Sequence, residues 1–389
     1  MNYDYLIVGA GLLGSAFAYV AKKRGCRCLL IDRRPHTGGN LHCERMEGIT
    51  LHSYGPHIFH TSNQDVWNFV NDIVPFNSFV NTPKANFHGK IYSLPFNMHT
   101  FNEMWGVKTS DEARAIIKRQ QEEALLLLNG REPQNLEEQA MVLVGRDIFE
   151  TLIKEYTEKQ WGRSCKELPA FIIKRLPIRY TFDNNYFNDS FQGIPQGGYN
   201  PLIDGMLEGT DVILNLDFNQ IRHCLERKAD GGWLSRGSEG KFPEASFRKI
   251  VYTGPLDEYF SYRFGRLEWR TLEFKHRLLP IVNFQGNAVV NYTSHEKPFT
   301  RIIEHKHFEL STKDLSRVQN TVITEEYSME YVLGKEPYYP INDLKNNQLA
   351  NSYRMLSLSE RDVIFAGRLS EYRYYDMAPI IEKVLSLDI

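Results

Sequence analysis

The sequence predicts an α/β protein in which a parallel βαβ unit is interrupted by a helical insertion and completed by an antiparallel-sheet region. Three observations carry this. The apolar run Tyr5-Leu-Ile-Val8 leads into Gly9-Ala-Gly11-Leu-Leu-Gly14, a helix-like stretch from Ser15 to Arg24, and a second strand from Cys26 to Asp32. Residues from about 100 to 180 carry successive helix start and stop signals. Strand-like runs then return at Val212 to Leu216, Lys249 to Thr253 and Asp362 to Ala366. With no repeat and no linker, the domains are expected to interleave: 1–100 opens the nucleotide-binding part and the second sheet, 101–180 is helical, 181–330 mixes both sheets, and 331–389 closes the nucleotide-binding part.

Taken in order, residues 33–100 mix Gly, Asn and His with short apolar stretches and predict irregular structure over the sheet. Ser110 can cap a helix running to Leu128, with Asp111 and Glu112 in its first turn and Asn129-Gly130 stopping it. Asn135 followed by Glu138 reads as a capping box. A third helix runs from Arg146 to Gln160, with Phe149, Leu152, Ile153 and Tyr156 on one face at i, i+3, i+4, i+7 spacing. The polar stretch Lys228 to Glu244 predicts a surface loop or hairpin tip.

Composition excludes several classes. Across 389 residues, 46 Lys and Arg against 48 Asp and Glu leave a net charge of −2, too little to gather nucleic acid or an anionic membrane by a global field. Any anion site must be local. Five cysteines without a C-x-x-C pair argue against a disulfide framework or zinc site. No apolar run approaches the ~18 residues of a membrane span, and Met1-Asn-Tyr-Asp-Tyr5 has no basic leader, so the expectation is a cytoplasmic protein.

Strand, G-x-G-x-x-G and helix together let a backbone approach a pyrophosphate at a helix N-terminus. The acidic residue expected for a ribose hydroxyl is Asp32, at the end of the second strand. The cofactor is therefore a dinucleotide. Arg33-Arg34 with Gly38-Gly39-Asn40, the segment Thr253-Gly254-Pro255, and Phe365-Ala-Gly367-Arg368 favour FAD in a Rossmann-like domain. Flavoproteins of this kind more often carry Glu where Asp32 stands, which keeps NAD open.

Longer strings are more specific. Gly55-Pro-His-Ile-Phe-His-Thr61, Tyr156-Thr-Glu-Lys-Gln-Trp-Gly162, Lys174-Arg-Leu-Pro177, Asp183-Asn-Asn-Tyr-Phe187, Thr300-Arg-Ile-Ile-Glu-His-Lys-His307, Pro337-Tyr-Tyr-Pro340 and Gly367 to Met377 follow one another along the chain. In them the chain closely resembles the bacterial UDP-galactopyranose mutases over essentially its whole length. The resemblance implies an FAD enzyme, active only with reduced flavin, that interconverts UDP-galactopyranose and UDP-galactofuranose without net redox through a bond between flavin N5 and the sugar. It also implies a role in surface polysaccharide synthesis and a homodimer.

The resemblance distributes roles residue by residue. Arg175 and Arg301 would hold the leaving diphosphate, for which a guanidinium is suited by its permanent charge and paired donors. Tyr186, Tyr339 and Tyr374 would bond phosphate oxygens. Tyr156, Thr157 and Trp161 would line the uridine pocket, and Leu152 stands where several relatives place a stacking Phe. Asn81 and Asn291 would lie near the sugar, and Asp376 beside the phosphates. Gly9, Gly11, Leu12, Leu13, Gly14, Asp32, Arg33, Gly39, Asn40 and Ile58 would hold FAD. His57 would stand beside the isoalloxazine, neutral or protonated, and Arg368 and Gly367 near flavin and sugar, with Met377 opening a helix toward the flavin O2 edge. Trp161-Gly162-Arg163 matches a loop that closes over substrate.

His57 with His60, and His305 with His307, are spaced for a metal pair, but neither pair has a Cys or carboxylate cluster and the chemistry asks for no Lewis acid. No metal is expected. Two other functions compete: an amine-oxidase-like flavoenzyme, for which a diphosphate site of arginines and tyrosines has no use, and a non-catalytic flavin-binding sensor, which Arg301→Ala would distinguish through turnover.

Overall fold

The protein is described by a computed structural model covering residues 1–173, 177–238, 240–309 and 318–389. Two seven-stranded sheets organise it. In the first, Asn2–Val8 is central, flanked in parallel by Cys28–Ile31 and Phe242–Tyr252, with Asp211–Ile213 beyond the former and Val363–Phe365 beside the latter. These strands are buried on both faces, as apolar runs such as Leu6-Ile7 and Leu29-Leu-Ile31 require. Val8 pairs with both Ile31 and Tyr252, so Gly9, Asp32 and Thr253 all leave the sheet at one edge. That carboxyl edge is where an open α/β sheet binds its ligand.

The helix Leu12–Lys23 covers one face with Ala16, Phe17, Val20 and Ala21, and packs against the helices Asn200–Leu207 and Met377–Ser386. Toward the other edge of the sheet, the stretch Lys228 to Glu244 takes the hairpin form of the expected loop or hairpin tip: Trp233–Ser238 and Phe242–Tyr252 are strands paired antiparallel, with Phe242, Ala245 and Phe247 buried.

The second sheet runs Tyr339–Pro340, Trp269–Leu279, Thr321–Glu330, Arg301–Glu304, Val289–Tyr292, Lys84–Phe87, Lys90–Ser93. Every neighbouring pair is antiparallel except Val289–Tyr292 with Lys84–Phe87. Residues 33–100 are thus less irregular than expected: they supply the strands Lys84–Phe87 and Lys90–Ser93, the hairpin Cys43–Met46 with Ile49–His52, and the helix Gln64–Asn71.

The helical insertion forms its own core from Phe101, Ile117, Ala140 and Phe149. Thr109, not Ser110, caps the helix Ser110–Leu128, and it forms the reciprocal box with Glu112. Asn135 caps Leu136–Val144 through the Glu138 N–H. The third helix is continuous in space but not in type: a π-turn at Phe149–Ile153 joins Arg146–Ile148 to Lys154–Trp161.

Candidate active site

The two sheets meet across a cavity of about 730 Å³. At its nucleotide end Gly9 has φ +109°, and a Cβ there would stand 2.1 Å from Thr253 Oγ1; a Cβ on Gly14 would stand 2.0 Å from the Gly9 carbonyl oxygen. Only hydrogen fits at either position. Gly11 caps the helix Leu12–Lys23 without a side chain, leaving its first N–H groups and their partial positive charge to a ligand. Gly39 and Asn40 continue this wall.

Asp32 has a local role as well. Its Oδ2 accepts from the Ala10 N–H at 2.6 Å and its Oδ1 from the Arg34 N–H at 2.8 Å, so it braces the glycine loop. Arg33 and Arg34 both meet Glu336, at 3.2 and 2.5 Å. Arg34 also bonds Asn40 Oδ1 at 2.9 Å and lies over the Tyr54 ring, while its Nη1 is buried without a partner among the described residues. An orphaned guanidinium nitrogen in a cavity wall awaits an acceptor. Arg34 and Thr253 stand in the strings that favour FAD without individual roles, and Glu336 has no sequence signal because its arginine partners lie some 300 residues away.

A second helix opens on the same cavity. Met377–Ser386 begins after Asp376 with no side-chain cap, and Met377 lines the wall. Two uncapped N-termini, a glycine cradle and an orphaned arginine nitrogen together fit a dinucleotide with a diphosphate and an electron-rich ring, which is FAD. Leu12, Leu13, Ile58 and Gly367 complete that half.

His57 stands between the halves. Its Nδ1 bonds the Gly55 carbonyl at 2.9 Å, so Nδ1 carries the proton and Nε2 is free to accept. Burial, with Arg301 and Arg368 adding repulsion, brings its pKa down to about 4. The imidazole is neutral near pH 7. His60 also lines the wall, its ring stacked 3.7 Å from Phe187 and its Nδ1 2.6 Å from Asp189.

The other half is a ring of donors. Arg301 is gripped by Glu326 through Nε at 2.8 Å and Nη2 at 2.7 Å, leaving Nη1 for the cavity. Burial opposes that charge, but Glu326 more than offsets it and the pKa is raised. Arg368, partly buried, has its pKa lowered by desolvation and donates to the carbonyls of Pro337 and Tyr338. Tyr156, Tyr186, Tyr339 and Tyr374 line the same space, and Tyr374 donates to Asp376 Oδ1 at 3.1 Å. Burial raises the pKa values of Tyr156 and Tyr339, keeping both as hydroxyl donors. Asn81 joins through its carbonyl, which accepts from the Tyr186 N–H at 2.8 Å. Asn291 Oδ1 is buried and has no partner among the described residues, an acceptor for a sugar or ribose hydroxyl.

Three expected residues are not in this wall. Leu152 is 5% exposed and packs with Phe149 and Ile153 in the helical core, within the π-turn. Thr157 is buried and Trp161 packs against the same core. Arg175 lies outside the described residues.

The comparisons agree with this geometry. The UDP-galactopyranose mutase family model matches residues 151–374, and that for an NAD(P)-binding Rossmann-like domain matches 7–73. The chain is 38% identical to the probable UDP-galactopyranose mutase of Klebsiella pneumoniae over 99% of its own length and 93% of the relative. It belongs to the UDP-galactopyranose mutase family. Members are flavin-dependent isomerases, in keeping with the cavity. The dTDP-fucopyranose mutase of Escherichia coli is 36% identical, covering 98% of this chain and 96% of that one. The fold matches a crystal structure of reduced UDP-galactopyranose mutase with a TM-score of 0.71 at 14% identity, covering 99% and 93% of the chains.

Proposed function

We propose that this mutase interconverts UDP-galactopyranose and UDP-galactofuranose with no net redox change. The observation that carries the reading is Arg301, aimed by Glu326 into a cavity edged by four tyrosines and continuous with the FAD-binding half. Reduced FAD, when bound, supplies a nucleophile for the anomeric carbon.

The chain's own residues do the rest. As the anomeric C–O bond breaks, negative charge accumulates on the departing diphosphate. Arg301 Nη1 and the hydroxyls of Tyr186 and Tyr339 meet it with donors already in place, so little reorganisation is needed, while Tyr374 would turn its proton from Asp376 to join them. Arg175, in the string that resembles the family's diphosphate site, would join them. Asn81 and Asn291 orient the sugar, and neutral His57 with Arg368 supports the reduced flavin. Buried walls keep water from the cationic sugar. The loop at Trp161-Gly162-Arg163 would close over bound substrate, with the nucleoside near Tyr156, Thr157 and Trp161.

The E. coli relative favours a second reading, in which dTDP-fucose is the substrate: its identity is nearly that of the Klebsiella relative. Both readings use the same diphosphate site. The enzyme would work as a cytoplasmic homodimer supplying furanose units for surface polysaccharide; no described helix is long and apolar enough to cross a membrane.

The test is chromatography of UDP-galactofuranose and dTDP-fucofuranose incubated with the flavoprotein, with and without dithionite. Conversion of the first only in the reduced sample supports the proposal. Preference for the second supports the alternative, and conversion of neither overturns both.

A further inference from the structure

Lys159 lies three residues after Tyr156 on the helix Lys154–Trp161 and points away from the cavity. Its Nζ donates to four backbone carbonyls, those of Tyr292 at 2.6 Å, Ser294 at 2.8 Å, Phe299 at 2.9 Å and Lys297 at 3.0 Å. An ammonium has three protons, so four carbonyls saturate it. Tyr292 ends the strand Val289–Tyr292 and the other three belong to the loop joining it to Arg301–Glu304, and the stem of that hairpin pairs Asn291 with Arg301 across the strands. Both stem residues line the substrate half. Thr293 Oγ1 donates to the Thr151 carbonyl at 2.9 Å, and His295 meets Glu155 and Glu158, so the loop is sewn to this helix at several points. The ammonium sits at the centre of the seam.

We propose that Lys159 is a positioning residue: it sets the Asn291–Arg301 hairpin against the Tyr156 helix so that the diphosphate donors are held in register before substrate arrives. The inference rests on the function proposed above. Without the ammonium, four inward-pointing carbonyls face one another unneutralised, and the loop must open. That opening moves Asn291 and Arg301 relative to Tyr156, although none of the three is altered. Four carbonyls placed 2.6–3.0 Å from a nitrogen are spaced for the N–H donors of an ammonium ion rather than for the smaller, donor-less sodium ion, which gives the test its handle.

UDP binding to the oxidised, FAD-loaded protein is measured by calorimetry for wild type, Lys159→Ala and Lys159→Met. Wild type should bind UDP equally in sodium and ammonium chloride. Lys159→Ala should bind at least about tenfold more weakly in sodium chloride and recover most of that in ~100 mM ammonium chloride, which refills the vacated cage. Lys159→Met, whose stem fills the path without charge, should be weakened and not rescued. Binding by Lys159→Ala within about twofold of wild type, or a loss that ammonium leaves unchanged, would overturn the inference. So would failure of both variants to accumulate as yellow folded protein, since the lysine would then be scaffold. Absence of UDP binding by wild type would instead contradict the proposed function.

Discussion

Glu326 holds Arg301 by two nitrogens, with Oε2 2.8 Å from Nε and 2.7 Å from Nη2. The carboxylate is 4% exposed and also accepts from Thr300 Oγ1, so its charge is matched within the wall and the arginine has one free direction, into the cavity. A buried pair of this kind separates two roles that a single substitution confuses. Arg301→Ala should cost ~3–5 kcal/mol of stability because it strands Glu326, and it should also weaken UDP binding by at least about tenfold. Adding Glu326→Gln should restore most of the stability and none of the affinity. Denaturant unfolding and UDP titration on the single and double variants check this.

Arg34 is expected to hold the cofactor. Nη2 is occupied by Glu336 and Asn40, and Nη1 has no partner. Arg34→Met keeps the packing against Tyr54 and should weaken FAD retention by ~10- to 100-fold, read from the ratio of flavin to protein absorbance after dialysis.

Leu152→Phe tests where the base is not held. The side chain sits in the core of the helical insertion beside Phe149, so the larger ring should overpack it and cost ~1–3 kcal/mol. UDP affinity should not rise. A gain in affinity would mean that the π-turn leaves Leu152 facing the nucleotide.

Acid should destabilise the protein earlier than its carboxylates alone would dictate. Burial lowers the pKa of His52 to about 3 and of His57 to about 4, and His305 is also driven well below its ordinary value. Each is neutral in the fold and free to protonate when unfolded, at a pKa of about 6.5. The unfolded state therefore binds more protons below that pH, and stability present above about 6.5 is lost progressively as pH falls toward 4 and 3. Unfolding free energy against pH should show this slope, and His52→Gln should reduce it.

How much of this was legible depends on how far apart the partners lie in sequence. The βαβ unit was readable because Gly9, Gly11, Gly14 and Asp32 act within one local turn and its neighbouring strand. The cavity wall at Tyr156, Tyr186, Arg301 and Tyr374 followed from strings that resemble a family. Neither route could show that Glu326 orients Arg301, that Glu336 joins Arg33 and Arg34 across some 300 residues, or that Lys159 enters a loop beyond residue 290. The first pairing is made by the second sheet's register, the others by tertiary packing of loops and a helix. The helical spacing that groups Phe149, Leu152 and Ile153 on one face agrees with their shared core, whereas the pocket role of Leu152 came from the resemblance alone. The stretch Lys228 to Glu244 reads only as a loop or hairpin tip because its glycines and charges obscure the strand pattern on either side of the turn.

The central claim is that one cavity holds reduced FAD and a nucleotide sugar together and rearranges the sugar without consuming electrons. The most direct measurement is anaerobic turnover after a single stoichiometric charge of dithionite, with the flavin spectrum and the sugar products followed in the same cuvette. The account predicts UDP-galactopyranose formed from UDP-galactofuranose in large excess over flavin while the spectrum stays reduced. Product limited to one equivalent per flavin, or reoxidation of the flavin in step with product, would contradict it.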